Sequence, residues 1–215
     1  MQDVIKKFHK SLSKEEYLTS YNMARNCDLV FAEALTHEQF ENLNLDKSEY
    51  TIYENNPDYL IYRKNYLTIS DGDIIFCKGD FIFELFSILN KLKDVDNISI
   101  LTHQMAKPAI GKELFELKPS CVKFWYALNV DYEDPFLVPV PLGLGNEYAN
   151  ANLQIEEIRN TFNTSDEIYN RNTILVNFDT STSPKRKEVK LYYKNFSWAT
   201  NEEIESKQSF INYLN

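Results

Sequence analysis

Glycine, cysteine and histidine are scarce in this chain of 215 residues, with five, three and three of each. Three cysteines, an odd number without a Cys-x-x-Cys spacing, exclude a disulfide framework. Zinc is excluded as a structural element as well, because His9, His37 and His103 stand singly and give no four-ligand set. Cys27, Cys77 and Cys121 therefore read as free thiols, the latter two beside apolar runs. Apolar runs are short, and none approaches the ~18–20 residues that span a bilayer. The stretch Met1–Glu16 has no apolar centre of the kind a secretory signal needs, so a cytoplasmic location is expected. Basic residues are outnumbered, 23 against 32 acidic, for a net charge of −9; this speaks against non-specific nucleic-acid binding, which works by counterion release at basic surfaces. No Gly-x-x-x-x-Gly-Lys or Gly-x-Ser-x-Gly occurs, so phosphate-loop and serine-hydrolase chemistry have no candidate.

What is present is a globular composition, 43% hydrophobic and 26% charged, in which disorder is not expected. Punctuation falls in the middle. All five glycines lie between Gly72 and Gly145, and five of seven prolines between Pro108 and Pro141. Residues 3–25 carry Val4, Phe8, Leu12, Tyr17 and Tyr21 at helical spacings and predict one helix. Asp28–Ala32 predicts a strand, and Tyr50–Ile69 one or two more. Strand and helix then alternate. Strands are expected at Asp73–Cys77, Asn97–Leu101, Val122–Ala127 and Phe136–Val140, with helices at Phe81–Leu92 and Gly111–Leu117. A polar helix at 151–163 is followed by a strand at Thr173–Phe178, a helix from Pro184, a strand at Phe196–Thr200 and a last helix at Glu202–Leu214. Short connections between such units imply an α/β fold, a Rossmann-like, mostly parallel sheet with flanking helices.

Ligands of open parallel sheets bind beyond the carboxyl ends of the strands. That places attention on Lys78-Gly79-Asp80, Thr102-His103-Gln104, Asn129, Gly143–Asn146 and Asn177. Asp80 suits either a helix N-cap or a working carboxylate. His103 suits a general base, since imidazole titrates near neutrality, or a structural hydrogen bond. Gly143-Leu144-Gly145-Asn146 reads as a turn. Asp71-Gly72-Asp73 and Asp94-Val95-Asp96 have the form of a metal-binding Asp-x-Asp, yet each precedes a strand, so turns are expected and no metal site is assigned. Lys185-Arg186-Lys187 is either a solvated helix face or a phosphate contact, for which an arginine fork is well shaped.

Four blocks follow one another in order: Ile74–Asp80, Ile100–His103, Lys123–Tyr132 and Leu137–Leu144. With Leu175–Phe178 and Arg186 they resemble exostosin-like glycosyltransferases of the GT-B class, over about residues 70–200. The aromatic-Asn block ending in Asn129-Val130-Asp131 and the Pro139-Val140-Pro141-Leu142-Gly143-Leu144 block are the most specific. The resemblance implies an acceptor-side domain at 1–163 and the beginning of a donor-side domain at 164–215. It implies transfer of a sugar from a nucleotide-sugar donor to a glycan acceptor, with no cofactor. His103 and Asp80 would then be the catalytic base candidates; Thr102, Asn129, Asn177 and Arg186 would bind substrate, Arg186 offsetting diphosphate charge. Two departures stand out. Gln104-Met105-Ala106 replaces the family's Asn-Ser-Asp after the histidine, and no glycine follows Gly145, so the Gly-rich donor motif is missing. The alternative expectation is a non-catalytic glycan-binding or assembly module, in which a second copy or a partner chain completes the donor domain.

Overall fold

The computed structural model describes residues 13–105, 109–145, 148, 152, 154–164, 174–176, 180–181, 184–200 and 206. The chain divides into two compact units, Ser13–Asn152 and a second that comprises Leu153–Asn215 with Met1–Leu12.

In the first unit, α1 (Ser20–Arg25) leads to β1 (Leu29–Leu35), the short α2 (His37–Glu41) and an antiparallel hairpin of β2 (Tyr50–Asn55) and β3 (Leu60–Lys64). Then follow β4 (Ile74–Lys78), α3 (Ile82–Leu89), β5 (Ile98–His103), α4 (Lys112–Glu116), β6 (Val122–Ala127) and β7 (Leu137–Pro139). The sheet has seven strands in the order β2-β3-β1-β4-β5-β6-β7. All neighbouring pairs from β1 through β7 are parallel, and β3 runs antiparallel to both its neighbours. The expected α/β class and the Rossmann-like, mostly parallel sheet with flanking helices are therefore present.

Ile75, Cys77, Ile98, Ile100, Trp125 and Leu137 form one sheet face, packed beneath Ile82, Leu85, Phe86, Leu89 and Phe115 from α3 and α4. Trp125 has no exposed surface; Phe86 meets it edge-on at 5.3 Å and Phe115 stacks at 6.3 Å. Burying side chains of this size contributes about 1.5–3 kcal/mol each. The opposite face carries α1, where Met23 and Ala24 pack on Phe76, and a second cluster of Leu35, Leu60 and Tyr62. Glu33 lies on this face, fully buried and ion-paired with Arg25. Complete burial pushes the Glu33 carboxyl up to about 8, outweighing the attraction of Arg25.

Three local expectations are corrected. The helix predicted over 3–25 is, within the described residues, a 3₁₀ turn at Lys14–Glu16 and a separate α1. Thr19 caps α1 by accepting the Asn22 N–H at 3.1 Å, which starts a new helix there. The helix α2 was not expected, although Thr36 and Gln39 form a capping box whose spacing is visible in the sequence. Finally, β5 runs on through Thr102 and His103 instead of ending at Leu101.

The second unit contains α5 (Ile155–Thr164), β8 (Ile174–Leu175), α6 (Pro184–Tyr193) and β9 (Ala199–Thr200). Strands β8 and β9 pair in parallel around α6, a strand–helix–strand unit. At the end of α6 and just after it, Tyr193, Phe196 and Trp198 hold ring contacts of 4.8–6.1 Å. The predicted last helix at Glu202–Leu214 lies outside the described residues except Ser206. Among the described residues no helix is long and apolar enough to cross a membrane.

Candidate functional site at the carboxyl edge

Strand β1 has the β3–β2 hairpin on one side and β4 on the other, so the chain reverses its direction of growth between β1 and β4. In an open sheet that reversal opens a crevice at the carboxyl ends, where ligands bind. Here the crevice is occupied. The β1–β4 ladder stops at Ala32–Cys77, leaving the Ala34 backbone facing the gap. The Gln104 side chain fills it: its Oε1 accepts the Ala34 N–H at 2.7 Å, and its Nε2 donates to the Ala34 carbonyl at 2.9 Å and to Ser20 Oγ at 3.1 Å. Gln104 is 6% exposed and has φ +55°. Left-handed backbone costs a non-glycine residue about 1–2 kcal/mol, which these hydrogen bonds offset. Met105 follows and lies against Gly79, where a Cβ would collide with its Sδ, so glycine at 79 lets the β5 loop fold down over β4.

Beside the filled crevice stand the predicted residues. Lys78 and His103 are register partners on β4 and β5. Lys78 is 8% exposed, ion-paired with Asp80, and burial pushes its ammonium below the ordinary lysine value. The Asp80 side chain is 53% exposed. It does not cap α3, as the N-cap reading would have it: Gly79–Phe81 is a 3₁₀ turn, and neither it nor α3 has a side-chain cap. The carboxylate is free of that duty and reaches solvent.

His103 is fully buried. Its ring faces the carbonyls of Leu142 and Pro141, yet neither nitrogen makes a well-aligned hydrogen bond. Burial lowers its affinity for a proton, and the two carbonyls oppose that only in part. An unsatisfied buried polar group costs about 1–3 kcal/mol, so this ring is an expensive feature of the fold. Thr102 is also fully buried. Its Oγ1 accepts the Trp125 indole N–H at 2.9 Å and donates to the Tyr126 carbonyl at 3.5 Å. The Thr102 hydroxyl is thus committed to the core. Asn129 is half-buried, with Nδ2 donating to the Met105 carbonyl at 3.4 Å.

The edge therefore gathers Lys78, Asp80, Thr102, His103 and Asn129, of which Asp80 and Asn129 have accessible surface for a ligand. Arg186 is an exposed residue of α6 in the second unit, and Asn177 lies outside the described residues. Sequence reasoning places Lys78 and Gln104 at this edge but assigns neither a role. A lysine closing the apolar run Ile74–Cys77 was the available signal for the first. Nothing in the sequence announces where the Gln104 amide goes.

At the amino end of β4 Asp71-Gly72-Asp73 forms a turn, as expected, whereas Asp94-Val95-Asp96 before β5 is a bend without a turn hydrogen bond, with Asp94 at φ +62°. Gly72 has φ +85°, Asp73 Oδ2 accepts the Ser70 N–H at 2.7 Å, and Asp71 Oδ1 accepts the Asp96 N–H at 2.8 Å. Among the described residues no group of three His, Cys, Asp or Glu side chains is placed to hold a metal ion. No family model and no curated protein matches the chain.

Proposed function

We propose that the chain is a glycosyltransferase-like protein whose Ser13–Asn152 unit serves the acceptor side of sugar transfer from a nucleotide-sugar donor to a glycan. The reading rests on the motif blocks and on one observation: Asp80 stands half-exposed at the carboxyl end of β4, held by the buried Lys78 and relieved of helix capping. Asp80 is the general base of this reading. It takes the proton of an acceptor hydroxyl while that oxygen bonds the anomeric carbon and the nucleoside diphosphate departs. Lys78 orients the carboxylate. The Asn129 side-chain oxygen is the acceptor for a neighbouring sugar hydroxyl, and Arg186, on the second unit by itself, is the candidate contact for diphosphate charge. Of the two base candidates Asp80 is preferred, since His103 has no surface in this conformation.

A second reading, a non-catalytic glycan-binding or assembly module, is favoured by the occupied crevice between β1 and β4. Calorimetric titration of the whole chain with nucleotide sugars, free nucleotides and saccharides separates the two. Saturable nucleotide-sugar binding that disappears in Arg186→Ala supports the transferase. Saccharide binding without nucleotide binding supports the module, and no binding of either kind removes both.

A further inference from the structure

A short length of backbone crosses the sheet edge at His103, anchored on Ala127, the register partner of Thr102, at one end and two residues from Ser20, a Gln104 partner, at the other. After β7 the chain crosses the end of the sheet through Val140, Pro141, Leu142, Gly143 and Leu144, bringing the Pro141 and Leu142 carbonyls to the imidazole. Two backbone hydrogen bonds tether the crossing: Val140 N–H to the Ala127 carbonyl at 2.9 Å and Leu144 N–H to the Leu18 carbonyl at 2.8 Å. Pro141 has no N–H to add. Pro141, Leu142 and Gly143 are exposed, Leu142 by 51%. The crossing thus covers a buried ring with its main chain while its own apolar side chain points to water. Gly143 has φ +71°, and a Cβ there would press on the Leu18 carbonyl oxygen, so the tether at Leu18 depends on a glycine.

We propose that residues 140–144 are a strap over the acceptor site, hinged at Gly143, that releases from Leu18 to present His103 to a glycan hydroxyl. The inference rests on reading this edge as an acceptor site. Segments with few buried side chains open locally far more readily than the core, and here Pro141, Leu142 and Gly143 are exposed and the far tether lies on the exposed Leu18. Opening also relieves the ring. A neutral imidazole has one donor and one acceptor nitrogen, and the closed strap offers carbonyls alone, which cannot satisfy the acceptor nitrogen. A sugar hydroxyl donates and accepts, and so satisfies either side.

The test uses the whole chain and two readouts. Amide exchange compares Leu144 with Ile100 in the centre of β5, and diethyl pyrocarbonate labelling with mass spectrometry follows His103, with the half-buried His37 as internal reference. The expected result is that the protection of Leu144 against exchange and of His103 against labelling, each relative to its intrinsic rate, is at least about 100-fold lower than that of the Ile100 amide, the mark of local opening. In Gly143→Ala the His103 labelling rate should rise about tenfold with His37 unchanged, since one strained residue weakens the closed state. Protection of His103 and Leu144 equal to that of Ile100 would overturn the strap without any variant. Chitotriose and maltotriose then separate the two readings. Opening without protection of His103 by either sugar removes the acceptor reading and keeps the strap. A sugar that binds while His103 never opens removes the strap and keeps the acceptor reading.

Discussion

The amino and carboxyl ends of β4 and β5 lie one strand length apart and are both rich in polar residues. At the amino end Asp28, Asp71 and Asp73 accept the N–H groups of Ile74, Asp96 and Ser70 at 2.7–2.8 Å, so each carboxylate closes a turn or starts a strand. At the carboxyl end the pattern inverts. His103 has both ring nitrogens unsatisfied, Lys78 is buried and Asp80 is exposed; left-handed backbone does not separate the ends, since Asp94 and Asn97 before β5 adopt it as Gln104 after β5 does. Two ends of one sheet show what local satisfaction looks like and what its absence marks. Departures from polar pairing gather where a fold has something other than stability to serve.

Gln104→Ala should have the largest effect. It strips two buried Ala34 groups of their side-chain partner and Ser20 of one of its contacts, so a loss of about 3 kcal/mol is expected in urea unfolding. A loss below about 1 kcal/mol would mean that water readily replaces the amide and that the crevice is open to ligands after all. Thr102→Val comes next, at about 2 kcal/mol, because the Trp125 N–H is left buried and unpaired. Unchanged stability with weakened saccharide binding would instead return Thr102 to the substrate. At the amino end, Asp73→Ala should cost about 1 kcal/mol for one turn hydrogen bond. Asp80→Asn, at the other end, should cost about 1 kcal/mol or less, because the amide oxygen still accepts from the buried Lys78 ammonium, while abolishing the transfer that the glycosyltransferase reading expects.

The sheet face beneath α1 adds a dependence on pH. The folded Glu33 value of about 8 lies above the ~4.3 of a free glutamate, so folding takes up a proton. Its contribution is complete below about pH 4 and declines as pH rises toward 8, where the folded carboxyl ionises. Chemical unfolding between pH 5 and 9 should show that decline in the natural chain and a flatter profile in Glu33→Gln. Equal slopes in the two would place the titrating group elsewhere.

Much of this architecture is legible in the residues. Four-residue apolar runs such as Ile74–Cys77 name strands buried on both faces. Helical spacing from Phe81 to Leu92 names a covering helix, though its observed limits are Ile82–Leu89. Asp71-Gly72-Asp73 names a turn before a strand, and the glycine does adopt positive φ. These features depend on neighbours within a few positions, and short-range chemistry determines them. Likewise the order of blocks determines that Lys78, Thr102, His103 and Asn129 come to one edge, since parallel strands joined by helices align their carboxyl ends.

Tertiary structure alone decided what each of those residues does there. Gln104 is bound to Ala34, seventy positions earlier, and no local pattern encodes that pairing. Thr102 and Trp125 meet because β5 and β6 are adjacent, which turns a candidate ligand contact into a core hydrogen bond. The concealment of His103 depends on the path from β7 back to Leu18, and the exposure of Asp80 on a 3₁₀ turn displacing the helix cap. Burial and partnership are properties of surfaces brought together across the whole unit, and a side chain's chemistry follows from them more than from its type.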